Sequence, residues 1–193
     1  MEERKLNEKE SLELIFQMIK NTKQRLEDGN GKPFLIWGYI TFIVSVVVFY
    51  FINKTGNYLY NWIWFAIPII GSIGMLLFAK NDKKRGFTFI DRIIANIWTV
   101  LGIAAVLISL SAFFVRIPIL PLILLLMGIG TTLTGLVVKF KPAILSGILG
   151  MLSCALPFLM PESEQILVFG FMFLIMMVIP GHILNYNGRK KYV

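Results

Sequence analysis

"IIANIWTVLGIAAVLISLSAFFVRIPILPLILLLMGIGTTLTGLVV", Ile93 to Val138, is a run of 46 residues interrupted by a single charge, Arg116. A helix crossing a roughly 30 Å hydrocarbon core needs about 20 residues at 1.5 Å each, so the run is too long for one crossing and suits two. The turn between them belongs at "RIPILP", because Pro118 and Pro121 are tolerated in the first turn of a helix and disfavoured in its interior.

Four further apolar blocks flank this pair: Phe34 to Ile52, Tyr58 to Ala79, Pro142 to Met160 and Ile166 to Leu184. With Ile93 to Val115 and Ile117 to Val138 they make six spans. The chain is 56% hydrophobic and 16% charged, far from the charged quarter or so of a soluble domain. In lipid every backbone polar group must be satisfied within its own segment, so the blocks are helices, and the alternation that marks a barrel is absent. The expected fold is an all-α polytopic membrane protein of six transmembrane helices. Residues 1–32 form an N-terminal cytoplasmic amphipathic helix and Gly-rich hinge, 33–185 the bundle, and 186–193 a basic tail. The charged first 32 residues do not resemble a cleavable signal peptide, so the first span is expected to stay. A lone cysteine, Cys154, permits no intrachain disulfide.

Charge orients the bundle, since short cytoplasmic loops collect Lys and Arg. The segment from Lys80 to Arg92 carries five positive and two negative charges, and Lys139, Lys141 and the terminal "GRKK" are also basic. On the other side Lys54 and Arg116 are balanced by Glu162 and Glu164, and the residues before Pro33 hold seven charges of each sign. The formal +8 therefore sits on the side expected to hold both termini, which predicts a bacterial inner (cytoplasmic) membrane protein with both ends in the cytoplasm. The same charges explain a pI near 9.7 without nucleic acid, for which no binding module is present.

Small residues allow close helix approach in lipid, where tails give helices no hydrophobic reason to associate. Span 1 offers Gly38, Thr41 and Ser45, span 3 Gly102, Ala105, Ser109 and Ala112, and span 4 Gly128 and Gly135. Span 5 is the richest, with Ala143, Ser146, Gly147, Gly150, Ser153 and Cys154, which predicts that it is the most enclosed. Span 6, bulky and Met-rich, is expected at the periphery. Pro68 deprives the Trp64 carbonyl of its usual partner and predicts a kink in span 2.

Chemistry is sparse. The six blocks contain no Asp, Glu, Lys or Arg, which counts against a proton pump. One His and one Cys on different spans cannot make a zinc centre, so neither a metal nor a cofactor is expected. Four residues have ligand-binding potential beside ordinary roles. Asn96 is an amide one turn inside span 3 that suits a bond across helices. Trp98 follows it as a candidate pocket indole, Arg116 is a headgroup anchor or anion contact, and His182 lies near the cytoplasmic end of span 6.

Upstream, Asn7 and Glu10 have capping-box spacing, and Gly29 and Gly31 end the helix they open. Leu12, Ile15, Phe16, Ile19 and Leu26 make one apolar stripe. Its destination is membrane lipid or protein, the latter a second copy or a cytoplasmic partner held through residues 8–28. The segment's zero net charge weakens a purely lipid-driven contact. "ESLELIFQMI", continued by Thr22, Leu26 and "GKPFLIWGY", resembles small multi-span membrane proteins of Bacteroidota-type bacteria over residues 10–40. That group brings no activity or site residue with it.

Together these features predict a non-enzymatic membrane protein with an assembly or regulatory role exerted through its N-terminal helix. The alternative is a small-molecule transport or substrate-binding subunit. The size and span count are similar to those of the substrate-capture subunits of energy-coupling-factor transporters, whose first span carries Ala-x-x-x-Ala. Span 1 here has no alanine, so that likeness is one of size.

Overall fold

The computed structural model describes residues 7, 9–17, 31–81, 89–112 and 114–190. Among them there is no strand, and six helices are long and apolar enough to cross a membrane. Span 1 is Lys32–Thr55, and span 2 a 3₁₀ segment Tyr58–Phe65 continued by the α-helix Ala66–Asn81. Span 3 is Phe89–Ser111, span 4 Ile119–Val138, and span 5 Lys141–Leu152 followed by a 3₁₀ segment Ser153–Leu159. Span 6 joins Glu162–Phe173, a π-helical turn Leu174–Val178 and Ile179–Lys190.

The irregular segments have identifiable causes. Gly56 ends span 1 at φ +64, its N–H returning 2.8 Å to the Ile52 carbonyl, and Asn57 Oδ1 then caps the Leu59 N–H at 2.9 Å to start the 3₁₀ run. The change to α-helix occurs just before Pro68, whose missing N–H leaves Trp64 without an α-helical partner, so the predicted disturbance is a change of helix type. Pro157 sits inside the second 3₁₀ segment in the same way. Between spans 4 and 5 the chain turns at Lys139, φ +56, with Phe140 N–H bonded to Gly135 O at 2.8 Å and Lys139 N–H to Leu136 O at 3.2 Å. This is a Schellman arrangement with lysine where glycine is usual.

The start of span 1 meets the end of span 6: a Cβ added to Gly31 would collide with the backbone of Gly181. Phe140 and Ala143 cluster there with Leu184 and Phe34, so the basic turn between spans 4 and 5 shares this end with both ends of the bundle. The two 3₁₀ segments and Glu162 occupy the far end.

The spans form an arc in the order 2, 1, 6, 4, 3, with span 5 behind, bracing spans 4 and 6. Span 6 is therefore central, which corrects the expectation of a peripheral helix: half of its apolar window is buried, against 33% for span 5, which had been expected to be the most enclosed. Its bulk fits because the notches are cut in its neighbours. Val178 lies where a Cβ on Gly38 would stand 2.6 Å from its Cγ2, and Met176 fills the space beside Gly150. Span 6 supplies its own notches at Gly170, against Ser45, and at Gly181, against Leu35. Spans 4 and 5 pack backbone to backbone as their stripes predict, with the Gly128 Cβ position 2.7 Å from Met151 N and that of Gly135 2.7 Å from Ile144 N.

The π turn in span 6 is tied to Pro180. Lacking an N–H, Pro180 leaves the Met176 carbonyl without its i+4 donor, and Ser146 Oγ of span 5 fills the place at 3.1 Å. Ile179 N–H reaches back five residues to Leu174 O.

In the N-terminal segment residues 9–17 are helical, Ser11 N–H donates to Asn7 O at 2.9 Å, and Asn7 N–H donates to Glu10 Oε2 at 3.1 Å, the carboxylate half of a capping box. Ile19, Leu26 and the Gly29 side of the hinge lie outside the described residues.

Candidate functional site

Spans 2 and 3 follow one another in sequence yet share no packed face, and the arc stays open between them. The opening leads into a cleft of about 1320 Å³ walled by spans 2, 1, 6, 4 and 3. Ordinary ligand pockets run to roughly 300–1,000 Å³, so this one admits a lipid-sized molecule. It runs from Pro33 and Asp91 near the termini to Tyr58 and Glu162 at the far end.

The residues that make room are the small ones of span 3. Gly102, Ala105, Ser109 and Ala112, expected to be a packing seam, line the cleft instead, and a Cβ on Gly102 would meet no atom within 4 Å. Span 3 packs on span 4 through the neighbouring face, where Leu101 closes over Gly130. A helix one face wide against its partner leaves the next face free, and periodicity alone does not tell a seam from a cleft wall.

Aromatic rings form much of the remaining wall. All four tryptophans of the chain, Trp37, Trp62, Trp64 and Trp98, line the cleft. Trp37 lies over Gly71, whose Cβ position is 2.6 Å from the ring. Trp64 Nε1 donates to Asn61 Oδ1 at 3.2 Å, and its ring meets Phe169 edge-on at 5.4 Å. Trp98 Nε1 donates to Thr134 Oγ1 at 3.1 Å, and Thr134 in turn donates to Gly130 O at 2.8 Å. Behind these rings Leu124, Phe169, Phe173, Met176 and Met177 form the packed floor.

One buried polar group stands out. Ser45, Thr131, Thr132, Thr134, Ser146 and Ser153 each donate a hydroxyl proton to a backbone carbonyl. Thr41, 1% exposed and lining the cleft, has no such bond from its hydroxyl among the described residues. A buried hydroxyl without a partner costs about 1–3 kcal/mol, and at 1% exposure Thr41 lies behind the cleft surface.

The four sequence candidates separate. Trp98 is in the cleft. Asn96 is exposed on the face of span 3 turned away from it, with Val100, Ile103 and Leu107, and the expected bond across helices does not occur among the described residues; two residues from Trp98 on a helix is a turn of about 200°. Arg116 is exposed in the turn between spans 3 and 4 and does not line the cleft. His182 lies on the seam of spans 1 and 6, its Nε2 2.8 Å from Tyr39 Oη with the rings edge-on at 6.1 Å. Leu12, Ile15 and Phe16 are exposed, at 67%, 53% and 65%. Thr41, Trp64, Thr134 and Glu162 were not singled out as site residues. The available signals were a tryptophan next to a proline-broken turn and a threonine in an otherwise apolar span.

No group of three or more His, Cys, Asp or Glu able to hold a metal ion occurs among the described residues. No family model, curated protein or solved structure matches the chain.

Proposed function

We propose that this is a non-enzymatic membrane protein that takes a small apolar or amphiphilic molecule from the bilayer into the cleft between spans 2 and 3, as a transport or substrate-binding subunit does. The observation that carries this reading is the open wall at Gly102, Ala105 and Ser109, where a bundle built only for packing closes its small-residue stripe on another helix. The four tryptophans that line the cleft support it. Native mass spectrometry of the gently purified protein tests it. A bound small molecule is expected on the wild-type chain, weakened in Trp98→Ala and absent in Ala105→Trp; identical spectra free of small molecules from all three chains overturn it.

A second reading concerns the N-terminal helix, where exposed Leu12, Ile15 and Phe16 favour an assembly or regulatory contact with a second copy or a cytoplasmic protein. Deleting residues 1–28 is expected to lower the copy number or remove the protein partner seen in the same spectra, and unchanged assemblies count against it. The basic loops support a bacterial inner membrane with cytoplasmic termini, which thiol labelling of single cysteines placed at residues 9 and 59 tests.

A further inference from the structure

We propose that the cleft selects a lipophilic cation: an amphiphile whose amine or quaternary ammonium head lies at the Glu162 end and whose hydrocarbon tail lies among Trp64, Trp98 and Phe173. The inference rests on the cleft reading above and adds the charge of the ligand to it.

The chain as a whole is basic, with 19 Lys and Arg against 11 Asp and Glu. The cleft reverses that balance. Its charged lining residues are both carboxylates, Glu162 at the far end and, at the other, Asp91, which has a partner of its own, and no Lys or Arg lines it among the described residues. The nearby cations are held elsewhere. Lys54 Nζ donates to Tyr50 Oη at 3.2 Å, and Arg116 is exposed outside the cleft. An anionic head entering beside Glu162 meets a like charge with no counter-ion in the wall among the described residues, whereas a cation meets the carboxylate and ring faces. Tyr58, Trp62 and Trp64 lie at the same end, and aromatic faces attract ammonium groups within about 6 Å of the ring centre. Toward the floor, the lining is hydrocarbon and aromatic, interrupted by Thr41 and Thr134.

All four tryptophans line the cleft, so the protein reports its own occupancy. Three probes with the same tail-brominated alkyl chain, bearing trimethylammonium, sulfate or maltoside heads, are titrated into the full chain in zwitterionic lipid nanodiscs. Tryptophan quenching is read against Ala105→Trp, which fills the cleft and adds a fifth indole as an internal reference. The ammonium probe is expected to quench at about tenfold lower membrane concentration than the sulfate. Glu162→Gln is expected to narrow that ratio to about twofold, while Glu164→Gln, on the same helical turn but outside the cleft lining, leaves it unchanged. Equal quenching by the three probes, a preference for sulfate, or the same loss in both Glu variants overturns cation selection and leaves the cleft reading standing. Quenching by every probe at the level of free indole in the same lipid overturns both.

Discussion

Ser146 Oγ donates to the Met176 carbonyl oxygen across the interface of spans 5 and 6, and that acceptor is free because Pro180 has no N–H to offer it. Two residues far apart in sequence thus compensate for a third. Ser146→Ala is expected to cost about 1 kcal/mol, within the measured range for hydrogen bonds between membrane helices. In a Pro180→Ala background, where the backbone regains the missing N–H donor, the same change is expected to cost less than half as much. Unfolding of the four variants in mixed micelles gives the coupling energy, and equal costs in both backgrounds would refute the account.

The glycines are expected to rank by what surrounds them. Gly128→Ala drives a Cβ to 2.7 Å from the Met151 backbone nitrogen, which cannot yield without moving the helix, and should cost about 2 kcal/mol. At Gly74 the nearest atom, 3.1 Å away, is the Ile36 Cγ2 methyl, which must give by a few tenths of an ångström, and the change should cost less than at Gly128. Gly102→Ala meets open space and should stabilise span 3 by up to about 1 kcal/mol through helix propensity. Thermal denaturation in one detergent tests the order.

Thr134 accepts from Trp98 and donates to Gly130, so its removal leaves the indole N–H without a partner inside an apolar wall. Thr134→Val is expected to destabilise by about 1 kcal/mol and to alter Trp98 emission. Trp98→Phe in the Thr134→Val chain should recover part of the stability, since the orphaned donor is gone. No recovery would show that the bond contributes little.

Lys139 holds a left-handed conformation that costs an L residue about 1–2 kcal/mol. Lys139→Gly relieves it at the expense of a more flexible unfolded chain, and a net gain of about 0.5 kcal/mol is expected. A loss of stability would mean that the lysine side chain contributes contacts of its own.

The span count was legible because hydrocarbon thickness imposes a length on every crossing, and the break at Pro118 divides a run no single helix could use. The carboxylate half of the capping box was legible because Asn7 and Glu10 interact within one turn. Which span lies in the middle was not. Span 6 was judged by its own bulk, while close approach depends on the pair: Met176 needs Gly150 opposite, and Val178 needs Gly38. The small-residue stripe of span 3 misled for the complementary reason, since the same residues that admit a helix also leave a space when none arrives. Thr41 resembled every other back-bonded hydroxyl until its neighbours were known.

The two 3₁₀ segments have a consequence for the bilayer the protein fits. A 3₁₀ turn rises about 2.0 Å per residue against about 1.5 Å for an α-helix. Span 5 has 19 residues, 12 α-helical and seven 3₁₀, and so reaches about 32 Å, where an all-α helix of that length would reach about 28 Å. Span 2 gains a similar increment from its eight 3₁₀ residues. Stretching at the far end thus matches span 5 to a core about 30 Å thick without added residues, and ties the helical form of Ser153–Leu159 to membrane thickness.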